Sequence, residues 1–365
     1  MAPSLAWIRN GGPISDEELD QALGRFRAVV LQPWECEAAS RLKEADPLCT
    51  VLAYQCLSSI RDYEPGPIYT SGITPQRARE LGTCAAVPEW AGYPGHRQQQ
   101  VWNPLYQQEW VRNVVGWVAR SPFDGVMADN DVFADYYGTG IAPEVLREAL
   151  TTLIVAAGTE LNKHGKLLIP NIAESRRQPG RWAHHASFGG GFEEVWLGWG
   201  TAPSQRLTLP RDIQSQAETL RHPGLTIART AGRDNLAFAL AAAWIFAPNA
   251  DVAVTATEHD GYSELPALDS VCSEGTSTNL RPLASHLGSH LGSHLGSHSE
   301  GLLFSDLGFP TSEVLHVPVK AHDPTQGAGA FCREFQNGRL AVNLSPEPVE
   351  VFGREIAFLG VLHDS

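Results

Sequence analysis

Eight short apolar runs recur along the chain: Leu5–Ile8, Ala28–Gln32, Thr50–Gln55, Gly125–Asp129, Leu167–Asn171, Phe192–Leu197, Leu225–Arg229 and Val252–Ala256. Helical patterns fill most of the gaps between them. Ser15 opens one helix with capping-box spacing to Glu18, and Cys36–Glu44, Pro104–Arg120, Pro143–His164 and Pro210–Arg221 hold others. Asp234 is placed to cap a further Ala-rich helix that ends before Pro248. Strands alternating with helices are repeated β/α units. The rival arrangement, an open doubly wound sheet, wants a G-x-G-x-x-G turn after the first strand, where Asn10–Pro13 reads NGGP. The predicted fold class is therefore α/β, a (β/α)8 TIM barrel.

A chain of 365 residues holds one barrel of about 250 residues and a small appendage. The barrel is expected over residues 1–300 and the appendage over 301–365. Within the latter, Val314–Val319, Ala330–Gln336, Leu340–Leu344 and Val349–Phe352 read as short antiparallel strands, with Asn337-Gly338 as a hairpin turn. Arg61–Gln100, rich in Pro, Gly, Arg and Gln, reads as a long loop over the barrel mouth. Residues 285–298 are a four-residue repeat, SHLGSHLGSHLGSH. A helix there would stack His286, His290, His294 and His298 as a metal stripe, but a glycine in every turn costs roughly 1 kcal/mol each. A low-complexity loop with no part in folding or catalysis is expected instead.

With 27 basic and 41 acidic side chains, the formal charge of −14 disfavours nucleic acid and anionic lipid and suits neutral or cationic substrates. The six cysteines are scattered without metal-ligand spacing and read as free thiols. The start, MAPSLAWIRNGG, lacks leader character, and the longest apolar run, Leu236–Ala247, is too short to span a bilayer. A cytoplasmic location is the default expectation, or a secreted one if a leader has been removed. The sequence does not address oligomeric state.

The chemistry concentrates in two stretches, DGVMADND at Asp124–Asp131 and GGFEEVW at Gly190–Trp196. Each is an apolar run ending in carboxylates, and a parallel barrel presents catalytic groups at such strand ends. Glycosidic cleavage needs one carboxyl group to protonate the leaving oxygen and a second, ionised one as nucleophile or base. Asp129 and Glu194 are the predicted pair; strand alternation lets only one of Glu193 and Glu194 face inward. Asp124, ahead of its strand, reads as structural. Aromatic and amide side chains at other strand ends suit sugar faces and hydroxyls. Trp34, Glu35, Tyr54, Gln55, Trp102, Asn103, Asn130, Asp131, Asn171, Glu193 and Trp196 are the substrate-binding candidates, with Trp199 close by. Each tryptophan alone is more often core than platform, and their grouping at strand ends brings the two readings level.

A metal-dependent barrel hydrolase would want paired histidines at the first strand end, which reads WIRNGG, and His184, His185 and His259 lack partners at recognisable spacing. No metal and no cofactor are expected. A G-x-S-x-G elbow and a P-loop are likewise missing from the sequence.

The succession VVLQPWE (Val29–Glu35), LKEADP (Leu42–Pro47), VLAYQ (Val51–Gln55), WNPLY (Trp102–Tyr106), DGVMADN, IPNIA (Ile169–Ala173), GGFEEVW and NGRLAVNLSP (Asn337–Pro346) resembles hypothetical glycosyl-hydrolase-like family 15. It is distantly similar to the glycoside hydrolase family 114 barrels that cut galactosamine-containing polysaccharides. The resemblance implies that the strand-four aspartate, matching Asp129, is a catalytic candidate, and that the strand-six glutamate, best matched by Glu194, is its partner. The expectation is a metal-independent glycoside hydrolase acting on an amino-sugar or neutral glycan. The alternative is a barrel that binds glycans without cleaving them, and the two part on whether Asp129 and Glu194 face each other across one cleft.

Overall fold

The computed structural model describes residues 3–9, 12–64, 66–207, 209–258, 262, 264–266, 307, 309–319, 329–357 and 360–364. The histidine repeat at 285–298 lies outside these residues, as does His259. Eight parallel strands close into a barrel: β1 (Ser4–Ile8), β2 (Ala28–Leu31), β3 (Thr50–Cys56), β4 (Gly125–Asp131), β5 (Leu167–Ile172), β6 (Gly190–Glu193), β7 (Leu225–Ala231) and β8 (Val252–Thr257). Each strand pairs with the next in sequence, and β8 returns to β1 with Leu5 opposite Val254. Alternate residues point to opposite faces of a strand. Leu52, Met127, Ile169, Phe192 and Ile227 accordingly fill the barrel, while Val51, Val126 and Ala228 face the helices outside.

The sixth strand departs from the sequence reading, which set it at Phe192–Leu197. It begins at Gly190 and ends at Glu193. A Cβ on Gly190 would come 1.9 Å from the Leu225 carbonyl oxygen, so only glycine lets the two backbones approach. Val195–Leu197, apolar enough to pass for strand, lies beyond it. Buried Gln216, on the helix Pro210–Leu220, accepts from Leu197 N (2.8 Å) and donates to the Val195 carbonyl (2.8 Å), and Leu197 adopts a left-handed φ of 65°.

Residues 61–100 are more ordered than a loop. They include the helix Pro75–Leu81, capped by Thr74, and complete a three-stranded antiparallel sheet of Ser59–Arg61, His96–Gln99 and Cys84–Glu89. The last barrel helix starts at Leu236 without a side-chain cap, Asp234 lying instead in a preceding 3-10 turn. Its sequence LAFALAAAWIF is apolar on every face because it is covered twice, by the barrel and by the C-terminal strands. Phe331 packs on Phe246 (5.2 Å between centroids) and Phe335 meets Trp244 edge-on (5.9 Å). Those strands, Leu315–Val317, Ala330–Phe335, Gly338–Asn343 and Val361–Asp364, form a four-stranded sheet beside a hairpin of Val349–Val351 and Arg354–Ile356. Phe335 pairs with Gly338, so the expected turn falls one residue early, at Gln336-Asn337. No helix among the described residues is long and apolar enough to cross a membrane.

Candidate active site

The parity that fills the barrel also aims the site. Continuing Leu52, Met127, Ile169 and Phe192 by two residues turns Tyr54, Asp129, Asn171 and Glu194 inward at the C-terminal mouth. Asp129 accepts four hydrogen bonds: from Tyr54 Oη (2.6 Å), the Asn130 backbone N–H (2.8 Å), Asn130 Nδ2 (3.0 Å) and Asn171 Nδ2 (2.9 Å). Asn130 doubles its contribution because its φ is 68°, a left-handed conformation that asparagine tolerates better than most residues. The β4–β5 register slips at this point, between Ala128 and Asp131.

Glu194 accepts from Tyr262 Oη (2.5 Å), contributed by the segment after β8, and from Asn171 Nδ2 (2.8 Å). One amide nitrogen therefore serves both carboxylates. Asp129 Oδ1 and Glu194 Oε2 can be no farther apart than those two bonds, 2.9 Å and 2.8 Å, laid end to end. Fully buried Arg229 props the same segment, donating to the Thr257 carbonyl (2.8 Å) and facing the Tyr262 ring (5.5 Å).

A cleft opens over this floor of Asn130, Asn171 and Glu194. Tyr93, Tyr136 and Tyr137 line it, together with Glu174, Arg176 and Trp199. Trp199, Tyr136 and Tyr93 are among the exposed aromatics, and such flat faces are what sugar C–H surfaces stack on. Burial makes the Tyr54, Tyr137 and Tyr262 hydroxyls weaker acids, raising each pKa above its ordinary value, so each is a neutral donor at ordinary pH. His96, beside the cleft, is pushed down to about 4 by burial and by the Arg61 charge.

Tyr54, Asp129, Asn130, Asn171 and Glu194 are thus brought together. Glu193 has the opposite parity: its buried side chain accepts from Val195 N (3.2 Å) and still reaches the cleft wall, and burial raises it to about 7. The other candidates sit elsewhere. Asp131 is completely buried, with Arg181 Nη2 at 2.5 Å and His185 Nδ1 at 2.6 Å. Glu35 forms a buried ion pair with Arg9 and accepts from Gln32 N (2.8 Å), tying the β1 and β2 loops together. Trp196 is core, edge-on to Phe246 at 5.9 Å. Gln55 donates to the Tyr69 carbonyl (3.2 Å), and Asn103 caps the helix Pro104–Val118 through Leu105 N (2.9 Å). Trp34 and Trp102 are exposed but do not line the cleft.

Among the described residues, no cluster of His, Cys, Asp or Glu is arranged to hold a metal ion. The five described cysteines, Cys36, Cys49, Cys56, Cys84 and Cys332, are free thiols. Tyr262, Tyr137 and Arg176 escaped sequence reasoning, because only tertiary closure brings these loop residues to the strand ends.

Hypothetical glycosyl hydrolase family 15 matches residues 43–339, which span β3 to β8 and reach into the C-terminal sheet. The chain belongs to this family. Among solved structures, the family 15 chain is similar to the glycoside hydrolase domain of PelA from Pseudomonas aeruginosa, at 18% identity and a TM-score of 0.47, covering 72% of this chain and 98% of that one. It is also similar to Ega3 from Aspergillus fumigatus, solved with galactosamine, at 9% identity and a TM-score of 0.48, covering 70% of this chain and 92% of that one. Alpha-L-fucosidase isoenzyme 2 from Paenibacillus thiaminolyticus matches at 12% identity and a TM-score of 0.42, covering 73% and 47%. Comparison with curated protein sequences gives no match.

Proposed function

We propose that this family 15 barrel is a retaining glycoside hydrolase with Asp129 as nucleophile and Glu194 as general acid and base. The observation that carries the reading is the Asn171 amide donating to both carboxylates. Retaining enzymes hold their two carboxyl groups about 5–5.5 Å apart, whereas inverting enzymes need roughly 6.5–9.5 Å to admit a water. A shared amide holds the nearer oxygens of the two groups close together, which supports the closer class. Asp129, with donors on both oxygens, is arranged as an anion ready to attack the anomeric carbon. Glu194 lines the cleft and takes the complementary role: it protonates the departing glycosidic oxygen, then removes a proton from the water that hydrolyses the glycosyl ester on Asp129.

The substrate this cleft suits is a neutral or amino-sugar glycan. Exposed Tyr93, Tyr136 and Trp199 offer stacking faces, while Glu174 and Glu194 bring carboxylates to the walls beside Arg176. A barrel that only binds glycans has no need of two carboxylates bridged at its mouth. The test is a product screen over a panel of neutral and amino-sugar polysaccharides, run beside Asp129→Asn and Glu194→Gln. Each amide variant should lose most turnover while keeping its fold and glycan binding, because an amide matches the carboxyl in size but neither attacks nor transfers a proton. Full activity in both would overturn the pair. Loss in Glu193→Gln with full rate in Glu194→Gln would exchange the two glutamates.

A further inference from the structure

We propose that Arg61, on the first strand of the sheet inserted after β3, is a positioning residue for Asp129, acting through Tyr54. The inference rests on the nucleophile role just assigned. Arg61 Nη2 lies 2.8 Å from Tyr54 Oη, and Tyr54 Oη lies 2.6 Å from Asp129 Oδ2. A guanidinium has donors only, so the Tyr54 oxygen must accept from it. The hydroxyl has one proton, which is then committed to Asp129. The relay has a single direction, and Arg61 sets it.

The arginine is itself held. Its guanidinium stands 5.0 Å from the Tyr54 ring centroid, and Nη1 is 3.5 Å from Glu64 Oε1. Glu64 is fixed by the backbone N–H of fully buried Thr70 (2.8 Å) and by the Thr70 hydroxyl. The Thr70 carbonyl accepts from Cys56 N (2.6 Å) at the end of β3, so the clamp is anchored to the strand that carries Tyr54.

The other titratable groups facing Asp129 do not substitute for this cation. Tyr54 and Cys56 on β3, Tyr137 after β4 and Tyr262 after β8 are all pushed upward by burial and stay neutral. His96 on the inserted sheet is pushed down to about 4 and is neutral as well. Glu194, across Asn171, brings a second carboxyl group and no cation. Removing Arg61 takes from the nucleophile both a positive charge and the partner that orients its tyrosine.

Arg61→Met keeps the aliphatic stem and removes donor and charge. Its kcat should fall at least about tenfold with KM within roughly twofold, since the loss lies in the chemical step. Arg61→Lys, which keeps a charged donor, should return most of the lost kcat. A folded Arg61→Met with unchanged kcat, or with a loss confined to KM, overturns the proposal. Should Arg61→Met not fold, a cycle of Arg61→Gln with Tyr54→Phe decides. The glutamine change should cost much less in the phenylalanine background, and equal costs in both overturn the relay. Asp129→Asn separates this idea from the reading beneath it: full activity there sinks the nucleophile role. An inactive Asp129→Asn beside an unaffected Arg61→Met sinks only the positioning role.

Discussion

Trp90 lies flat against Tyr137, with ring centroids 3.8 Å apart and planes 5° from parallel, and the Tyr137 hydroxyl donates to the Asn130 side-chain oxygen. An aromatic stack on the inserted segment thereby fixes the orientation of the amide whose nitrogen donates to Asp129. Tyr137→Phe keeps the stack and removes that donor. We expect kcat to fall several-fold with the melting temperature nearly unchanged. Trp90→Ala should also cost about 3–5 kcal/mol of stability, as truncation of a buried tryptophan does. Steady-state kinetics and thermal melts of the two variants check this, and an equal loss of stability in both would contradict the split.

Glu193 makes stability depend on pH. Burial raises its carboxyl from 4.5 to about 7, so between those values the unfolded chain gives up its proton while the folded chain keeps it. The folded state then binds more protons, and stability falls as pH rises through this window. A shift of this size corresponds to a loss on the order of 3 kcal/mol. Glu193→Gln should remove that part of the decline. Urea titrations of both proteins at pH 4.5, 6 and 7.5 measure it; parallel curves would show that Glu193 ionises freely in the folded protein.

Asp131 was a sequence candidate that the fold uses for structure. Its carboxylate lies between Arg181 and His185, and Thr151 Oγ1 lies 2.9 Å from the far side of the His185 ring. Removing one member of a buried ion pair strands the other, which typically costs about 3–5 kcal/mol. Asp131→Asn should lose that much by denaturant titration. Its kcat, measured well below its melting point, should stay within about twofold of the parent.

Much of the barrel could be read in the sequence because its strands are short apolar runs with helices between them. The same alternation lets only one of Glu193 and Glu194 face inward, but with the strand's start misplaced it does not say which. The sixth strand was misplaced because Gly190 is required by the close approach of the Leu225 carbonyl and adds no apolar signal, while Val195–Leu197 is apolar for a reason of its own, packing beside Gln216. Glu35 and Trp196 had the right chemistry at the right strand ends, yet one is neutralised by Arg9 and the other is buried against Phe246. Arg61 and Tyr262 show the opposite case. They reach the carboxylates from an inserted sheet and from the segment after β8, and residue spacing encodes neither approach.

The closeness of Asp129 and Glu194 is tested most directly by the anomeric configuration of the first product. Proton NMR, recorded within the first minutes on whichever polysaccharide of the panel is cleaved, reads it before mutarotation blurs the signal. If Asp129 attacks the anomeric carbon itself, as proposed from the amide it shares with Glu194, the initial product should carry the same anomeric configuration as the bond that was cut. An initial product of the opposite configuration would contradict the account, since it would require a water where the structure places the Asp129 carboxylate.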